Sequence, residues 1–308
     1  MSDVHPGNLR TLAELLPVAQ REGYGIGSFS PRYPRMIAPI LRAAQSLASP
    51  LIVQISQKDM TRCGVDAGDF AAAFFRELED EKVTVPVALH LDHTHDTEVI
   101  ERAIEAGFSS VMIDASDLPL AENEAKTRSV VEFGHARGVS VEGELGTIGA
   151  YTFSETDQTD GVAFTDPQEV RRFADETGVD ALAVSIGTMH GVKPGMKVEL
   201  DIERLAAIRA QTDVPLVLHG GSGLPAEAMK AAIRIPGGGV SKVNLATDLE
   251  RAMLDALGSQ ERMVDEQIAA LGPADLQRAR DAVERVTREK IRHFLLSEGR
   301  AVTSEAAR

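Results

Sequence analysis

Cysteine is nearly absent from this chain: the 308 residues contain one, Cys63. A lone thiol excludes an internal disulfide and fits a reducing compartment, so the sequence points to the cytoplasm. Cys63 reads as a loop residue between Arg62 and Gly64, without the neighbours a catalytic thiol needs. Long apolar runs are missing too. Stretches such as ALAVSI are far too short to span a bilayer, and the start MSDVHPGNLR has neither the apolar core nor the small-residue cleavage pattern of a signal peptide. Positive charge is scarce, with 32 Lys and Arg against 47 Asp and Glu and a net charge of −15. Such acidity argues against nucleic acid and against anionic membranes as partners. It still admits a phosphorylated small molecule, because local dipoles and a metal ion can reverse the potential inside a cleft.

What is present is a regular alternation. An apolar fraction of 43% is enough for a substantial core. Eight β-rich segments are spaced along the chain: Gly23–Phe29, Leu51–Ser56, Val85–Asp92, Ser110–Ala115, Val139–Leu145, Ala181–Gly187, Pro215–Gly220 and Val240–Ala246. Helical segments separate them, among them Asp96–Glu105, Glu122–Ala136, Pro167–Thr177 and Pro225–Ile233. Eight such units predict an α/β fold, a (β/α)8 TIM barrel. An open doubly wound sheet is the runner-up, but it lacks a G-x-G-x-x-G turn after the first strand. Arg10–Glu22 predicts a helix under the barrel, and Glu261–Leu296 a helical extension broken at Leu271-Gly272-Pro273. The whole chain, 1–308, reads as one barrel domain with this extension over about 259–298. The polar segment Gly149–Gly161 shows neither helical nor strand periodicity and reads as a mobile loop over the site, and the tail from Val302 as frayed.

In this barrel reactive groups gather at the C-terminal strand ends. Three histidines stand there: His93 in VALHLDH, His190 in IGTMHG and His219 in PLVLHGGSG. Three neutral nitrogens with an open fourth position suit a catalytic zinc ion that polarises a substrate oxygen. Asp92 sets a carboxylate beside that ion for moving protons. Strand alternation puts His90 and Asp92 on one face and His93 on the other, so Asp92 and His93 share a site only if the strand ends near them. His90 reads as a core or supporting histidine. The glycines of His219–Gly223 let backbone N–H groups approach an anion ahead of the helix near Pro225, and KVNLATD (Lys242–Asp248) repeats that placement one unit later. Loops after the seventh and eighth strands are a common phosphate site in this fold.

Together, HLDH, SVMIDAS, VEGELG, GTMHG, LVLHGGSG and KVNLATD resemble the class II, zinc-dependent ketose-bisphosphate aldolases of fructose- and tagatose-bisphosphate type, from about Tyr24 to Leu249. The resemblance implies a lyase that splits a phosphorylated ketose into dihydroxyacetone phosphate and an aldehyde through a metal-stabilised enediolate. It implies one catalytic zinc ion on His93, His190 and His219, and Asp92 as the group exchanging a proton with the C4 hydroxyl. Gly191, Gly220, Gly221, Ser222, Asn244 and Thr247 match the residues that hold the dihydroxyacetone phosphate half. Asp114 and Glu144 match acidic positions near an alternative metal site, for a second divalent or monovalent cation, or serve as structural hydrogen-bonding groups. The family association further implies a homo-oligomer, dimer or tetramer.

Departures from the family pattern cluster around the aldehyde half. Ser30 stands where an asparagine orients substrate, Thr94 and His95 follow HLDH, and Ser56 is retained ahead of an unusual Gln57-Lys58-Asp59 run. Lys58 is either a surface lysine or a contact for an acidic group on a non-standard substrate. The usual loop glutamate that handles the carbon proton is missing. Glu155, the first later acid, either takes that role or is a solvated loop residue. The resulting expectation is a retained metal and phosphate core with an altered acceptor pocket. The competing readings are a non-catalytic sugar-phosphate-binding paralogue and an isomerase or epimerase that shares the enediolate.

Overall fold

The computed structural model describes residues 6–150, 163–190 and 198–301, with only the backbone at 149, 150 and 190. Eight parallel strands close into a barrel: β1 (Ile26–Phe29), β2 (Leu51–Ser56), β3 (Val87–Thr94), β4 (Ser110–Ile113), β5 (Ser140–Leu145), β6 (Ala181–Val184), β7 (Leu216–Leu218) and β8 (Val240–Leu245). Around the barrel they run β1-β8-β7-β6-β5-β4-β3-β2, so sequential strands are neighbours and β8 closes on β1. Because every strand is covered by helices outside and by packed side chains inside, the strands are buried on both faces.

One helix precedes the strands, α1 (Leu12–Glu22), and the others follow them: α2 (Ile37–Ser46), α3 (Gln57–Cys63), α4 (Ala67–Asp80), α5 (Thr97–Glu105), α6 (Leu120–His135), α7 (Pro167–Thr177), α8 (Ile202–Arg209), α9 (Ala226–Ile233), α10 (Thr247–Leu257), α11 (Asp265–Ala269) and α12 (Pro273–Glu289). Their starts are chemically marked. Asp66, Asp96, Asp166 and Asp201 each accept a backbone N–H of the first turn, the usual way of satisfying an orphan donor there. Cys63 corrects the sequence expectation. It closes α3 as a buried residue instead of lying in a loop. The helix begins directly at the end of β2, where the Ser56 side chain accepts the Asp59 N–H, so no loop residues intervene to signal it.

Two cores hold the fold. The larger lies between the strands and the outer helices. The smaller fills the bottom of the barrel, where Leu12, Leu15 and Leu16 of α1 pack on Ile26, Ile52, Ala88, Ala183 and Val217. Alanines in that inward layer leave the volume that the α1 leucines occupy, so α1 plugs the N-terminal end as expected. Beyond α10, α11 and α12 form the extension, broken at 270–272 and finished by a π-helical turn, Lys290–Leu295. Its end packs on β1: Gly25 N–H donates to the Leu295 carbonyl at 2.9 Å, and a Cβ on Gly27 would stand 2.7 Å from Leu295 Cδ1.

Candidate active site

Above the apolar plug the inward positions turn polar. Going up β2 by twos gives Ile52, Gln54, Ser56; β3 gives Ala88, His90, Asp92; β5 gives Glu142, Glu144; β8 gives Lys242, Asn244. Of these side chains, Gln54, Ser56, Asp92, Glu144 and Asn244 line a cavity of about 880 Å³ at the C-terminal end of the barrel, and His90, Glu142 and Lys242 are buried one layer below. Ser30, Ser56, Asp92, His93, Asp114, Glu144, Gly220, Ser222, Asn244 and Thr247 line it, together with Lys58 and His95.

His93 joins Asp92 there by a backbone device. β3 does not stop at Asp92 but continues to Thr94, and its register with β4 shifts between Leu91 and Thr94. His93 takes φ of 31°, a conformation that costs a β-carbon residue free energy. That kink breaks the two-residue alternation and turns Asp92 and His93 toward one site.

The two described imidazoles are each fixed by a carboxylate. His219 Nε2 lies 2.7 Å from Glu142 Oε1, and His93 Nδ1 lies 2.9 Å from Asp114 Oδ2. A neutral ring that donates its N–H to the carboxylate keeps a lone pair on its other nitrogen. Those other nitrogens, His219 Nδ1 and His93 Nε2, face each other at 2.6 Å. Asp92, His93 and His219 therefore form one group whose ligand atoms lie within reach of a single ion, and His93, Asp114 and Glu144 form another. Glu144 Oε2 is buried without a hydrogen-bond partner and sits 3.6 Å from His219 Nδ1. An orphaned carboxylate oxygen beside two converging imidazoles fits a cation. The third histidine ends a two-residue strand, Met189–His190, which pairs with Gly149–Ala150. Its backbone runs beside Gly220, where a Cβ would meet the Met189 carbonyl at 2.7 Å. The position of its side chain is outside the described residues, as are Gly191 and Glu155. The expected loop Gly149–Gly161 thus opens with strand pairing, and 151–161 lie outside the description.

Asp92 is held at both oxygens. Gln54 Nε2 donates to Oδ2 and Asn244 Nδ2 to Oδ1, each at 2.9 Å. Burial pushes its pKa up, but His93, Lys242, His219 and the Asn244 hydrogen bond outweigh burial and leave it below the ordinary value. Behind it Lys242, fully buried, lies 2.9 Å from Glu142 Oε2 and donates to Asn244 Oδ1 at 2.8 Å. One ammonium therefore supports both the residue that orients His219 and the residue that orients Asp92. His90 stays neutral: burial, then Lys242, hold its pKa well below the ordinary value, and Nδ1 meets Ser110 Oγ at 2.8 Å. Around the imidazoles the excess of acid is evident. Burial opposes a charge on His93, yet Asp92, Asp114 and Glu144 push it up to about 10. Burial, then the charge of Asp114, pushes Glu144 up to about 8.

The loops after β7 and β8 interlock. Ser222 Oγ accepts from the N–H groups of Ala246 and Asp248 at 3.3 and 3.2 Å, which ties the first loop to the start of α10. Gly221 differs from its neighbours. Its N–H donates to the Asn244 carbonyl at 3.0 Å, and it is not among the lining residues. Ser30 Oγ, by contrast, is buried at the cavity without a hydrogen-bond partner.

Sequence reasoning missed Gln54, Glu142 and Lys242. The available signal was their spacing, each two residues before a site residue on the same strand.

Comparison with known proteins bears on this arrangement. The family described as fructose-bisphosphate aldolase class-II matches residues 10–300. The chain belongs to that family. It is thus an aldolase, a carbon–carbon lyase. It is 35% identical over 298 residues to a fructose-bisphosphate aldolase of Staphylococcus aureus, covering 93% of this chain and 97% of that one. It is 39% identical to the 6-phospho-5-dehydro-2-deoxy-D-gluconate aldolase of Bacillus subtilis, covering 92% and 94%. Among solved structures, the YdjI aldolase of Escherichia coli superposes with a TM-score of 0.80 at 31% identity, over 96% of this chain and 100% of that one. No helix among the described residues is long and apolar enough to cross a membrane.

Proposed function

We propose that the protein is a zinc-dependent aldolase that cleaves a phosphorylated ketose, related to fructose or tagatose 1,6-bisphosphate, into dihydroxyacetone phosphate and an aldehyde. The observation that carries this reading is the pair of imidazole nitrogens facing each other beside a doubly held Asp92. Nitrogen-rich sets with an open position favour zinc, and His190, at the end of its short strand, completes the set in this reading. When bound, the ion supplies Lewis-acid polarisation of the ketone half.

Everything else falls to the chain. Gly220, Ser222, Asn244 and Thr247 anchor the phosphorylated ketone half at the β7 and β8 loops, far from the reacting bond, which fixes its orientation. Gly221 then serves by close packing, not by lending its N–H. Ser30 and Ser56 line the cavity from β1 and β2 and contact substrate hydroxyls. Asp92, ionised and gripped by two amides, takes the proton of the C4 hydroxyl as the C3–C4 bond breaks. The bond's electron pair stays on the ketone half, and the aldehyde carbonyl forms. In condensation Asp92 returns that proton. Glu155 handles the proton on the ketone-half carbon. Asp114 orients His93, and Asp114 and Glu144 offer a place for a second cation. The whole chain acts as one domain, in the cytoplasm and as a homo-oligomer; the lone cysteine and the family association support those two assignments.

The test is metal content combined with a coupled assay for dihydroxyacetone phosphate release from a panel of phosphorylated ketoses, with and without chelator. Chelator-sensitive release is expected, and Asp92→Asn is expected to bind zinc yet cleave about 10²- to 10⁴-fold more slowly. Chelator-resistant cleavage, or an unaltered rate in Asp92→Asn, overturns the mechanism.

A further inference from the structure

His95 stands at the cavity wall, in the short connection between β3 and α5. An exposed loop residue is ordinarily mobile, yet this exposed histidine is held on three sides. Its backbone N–H donates to Oε1 of Gln57, the first residue of α3, at 3.0 Å. Its carbonyl accepts from Lys126 Nζ on α6 at 2.9 Å. Its ring Nδ1 lies 2.8 Å from the carbonyl oxygen of Asp114, just after β4. Three separate segments thus engage its N–H, its carbonyl and one ring nitrogen. The other ring nitrogen, Nε2, has no hydrogen-bond partner among the described residues.

These contacts fix chemistry as well as place. A carbonyl oxygen only accepts, so Nδ1 carries the ring proton in its contact with Asp114. In the neutral ring Nε2 then keeps its lone pair and acts as an acceptor. Asp114 also relates this ring to the ion-binding group, because its side chain holds His93 Nδ1 through Oδ2 at 2.9 Å. Its other oxygen, Oδ1, accepts from Ser116 Oγ at 2.8 Å, so the carboxylate is itself held. Ordering an exposed ring costs rotamer freedom and gains little burial, and two contacts on the main chain would already close the turn. The third contact orders the imidazole itself. In the closed ring of strands β3 stands opposite β7. A ketose anchored by its phosphate at the β7 and β8 loops, and lying over Asp92, therefore directs its aldehyde half toward the wall that His95 and Gln57 line.

We propose that His95 selects the aldehyde half of the substrate, its Nε2 accepting a hydrogen bond from a hydroxyl group there. The proposal deepens the aldolase reading and rests on it. The ligand class is a hydroxylated aldehyde, since a ring nitrogen that only accepts has no proton to offer a carboxylate or a phosphate. Gln57 and Lys126 are positioning residues that hold the main chain beside the ring, and the Asp114 carbonyl holds the ring.

The experiment is condensation of dihydroxyacetone phosphate with glyceraldehyde, with its deoxy relatives lactaldehyde and 3-hydroxypropanal, and with propanal, which has no hydroxyl group. Wild type, His95→Asn and His95→Gln are compared, with thermal melting to establish that each variant is folded. Asparagine keeps a donor near the place of Nδ1 and puts nothing at Nε2, whereas glutamine reaches the place of Nε2 with an acceptor oxygen. His95→Asn is expected to lose about threefold to tenfold in kcat/KM for glyceraldehyde, the range of one hydrogen bond, and much less for propanal. The deoxy aldehyde that shares the loss carries the contacted hydroxyl. His95→Gln should recover most of it, which a merely structural histidine would not allow. Equal losses for glyceraldehyde and propanal, or none for either, overturn the proposal. Calorimetric titration with sorbitol 6-phosphate and with hexyl phosphate, which lacks the hydroxyls, separates the two readings, because neither ligand is cleaved. Binding of sorbitol 6-phosphate that weakens in His95→Asn, without condensation by wild type, keeps the contact and refutes the reaction. Condensation that depends on neither the hydroxyls nor His95 does the reverse, and absence of both effects refutes both.

Discussion

Lys242→Met tests the foundation of the site. Lys242 and Glu142 are both fully buried, with Nζ and Oε2 2.9 Å apart. Methionine keeps most of the stem and removes the charge, leaving the Glu142 carboxyl in the barrel interior without its cation. Removing one partner of a buried pair costs about 3–5 kcal/mol, because the surviving charge is neither solvated nor paired. An unfolding entropy of about 2.1 cal/mol/K per residue over 308 residues is roughly 0.65 kcal/mol per kelvin, so the melting temperature should fall by about 5–8 °C. The measurement is scanning calorimetry in excess chelator, since a bound ion would add its own binding energy to stability. The double variant Lys242→Met/Glu142→Gln should recover at least half of the loss: glutamine still accepts the His219 N–H at Oε1 without a buried charge. Turnover should fall as well, since Asn244 loses the donor at its Oδ1 and with it the orientation that presents Nδ2 to Asp92. If the single variant melts with wild type, or if the double variant melts no higher than the single, Lys242 is not what supports the two arms of the site.

Two further outcomes follow from particular contacts. In Gly221→Ala the new Cβ would stand 2.5 Å from Val243 Cγ1 and 2.9 Å from the Asn244 carbonyl, so about 1–3 kcal/mol of stability should be lost, read as a lower urea midpoint; an unchanged midpoint would mean that the β7 and β8 loops are not close-packed. With chelator present, stability should decline as pH rises from about 5 to 9: Glu144, raised to about 8, and His93, raised to about 10, both bind more protons folded than unfolded in that window. Thermal melts across that range should fall in wild type and flatten below about pH 6.5 in Glu144→Gln, where the His93 contribution is not yet lost, and a rise with pH in wild type would refute the assignment of both groups.

The barrel was legible because its signals are local. Each short β-rich run is followed by a helical pattern, and an aspartate marks the start of α4, α5, α7 and α8 without reference to anything distant. The expected strands differ from the observed ones by only a few residues at their ends. His93, His219, Asp92 and Asn244 were legible for a related reason. In this topology the end of a strand is a place in space as well as in sequence, so residues from distant units meet without any long-range contact having to be inferred.

What stayed hidden depended on a third coordinate. Alternation assigned Asp92 and His93 to opposite faces, and only the φ of 31° at His93 unites them; no residue-level signal announces a left-handed histidine. Glu142 and Lys242 carry charge at inward strand positions, which burial ordinarily forbids. The sequence marks them as anomalies, but their mutual pairing appears only when β5 and β8 face each other across the barrel. The ion pairs that join Arg62, Asp59, Arg32, Glu250 and Arg262 are the furthest from sequence, since these residues come from the loop after β1, α3, α10 and the segment after α10. Apart from Asp59 and Arg62, three residues apart on α3, nothing in their spacing links them. This division has a physical cause. Chemistry common to every substrate sits on strand ends, whose positions the fold fixes, and so leaves compact motifs. The ion pairs at the cavity rim are assembled from several segments at once, so they leave no compact motif and are read from the folded chain alone.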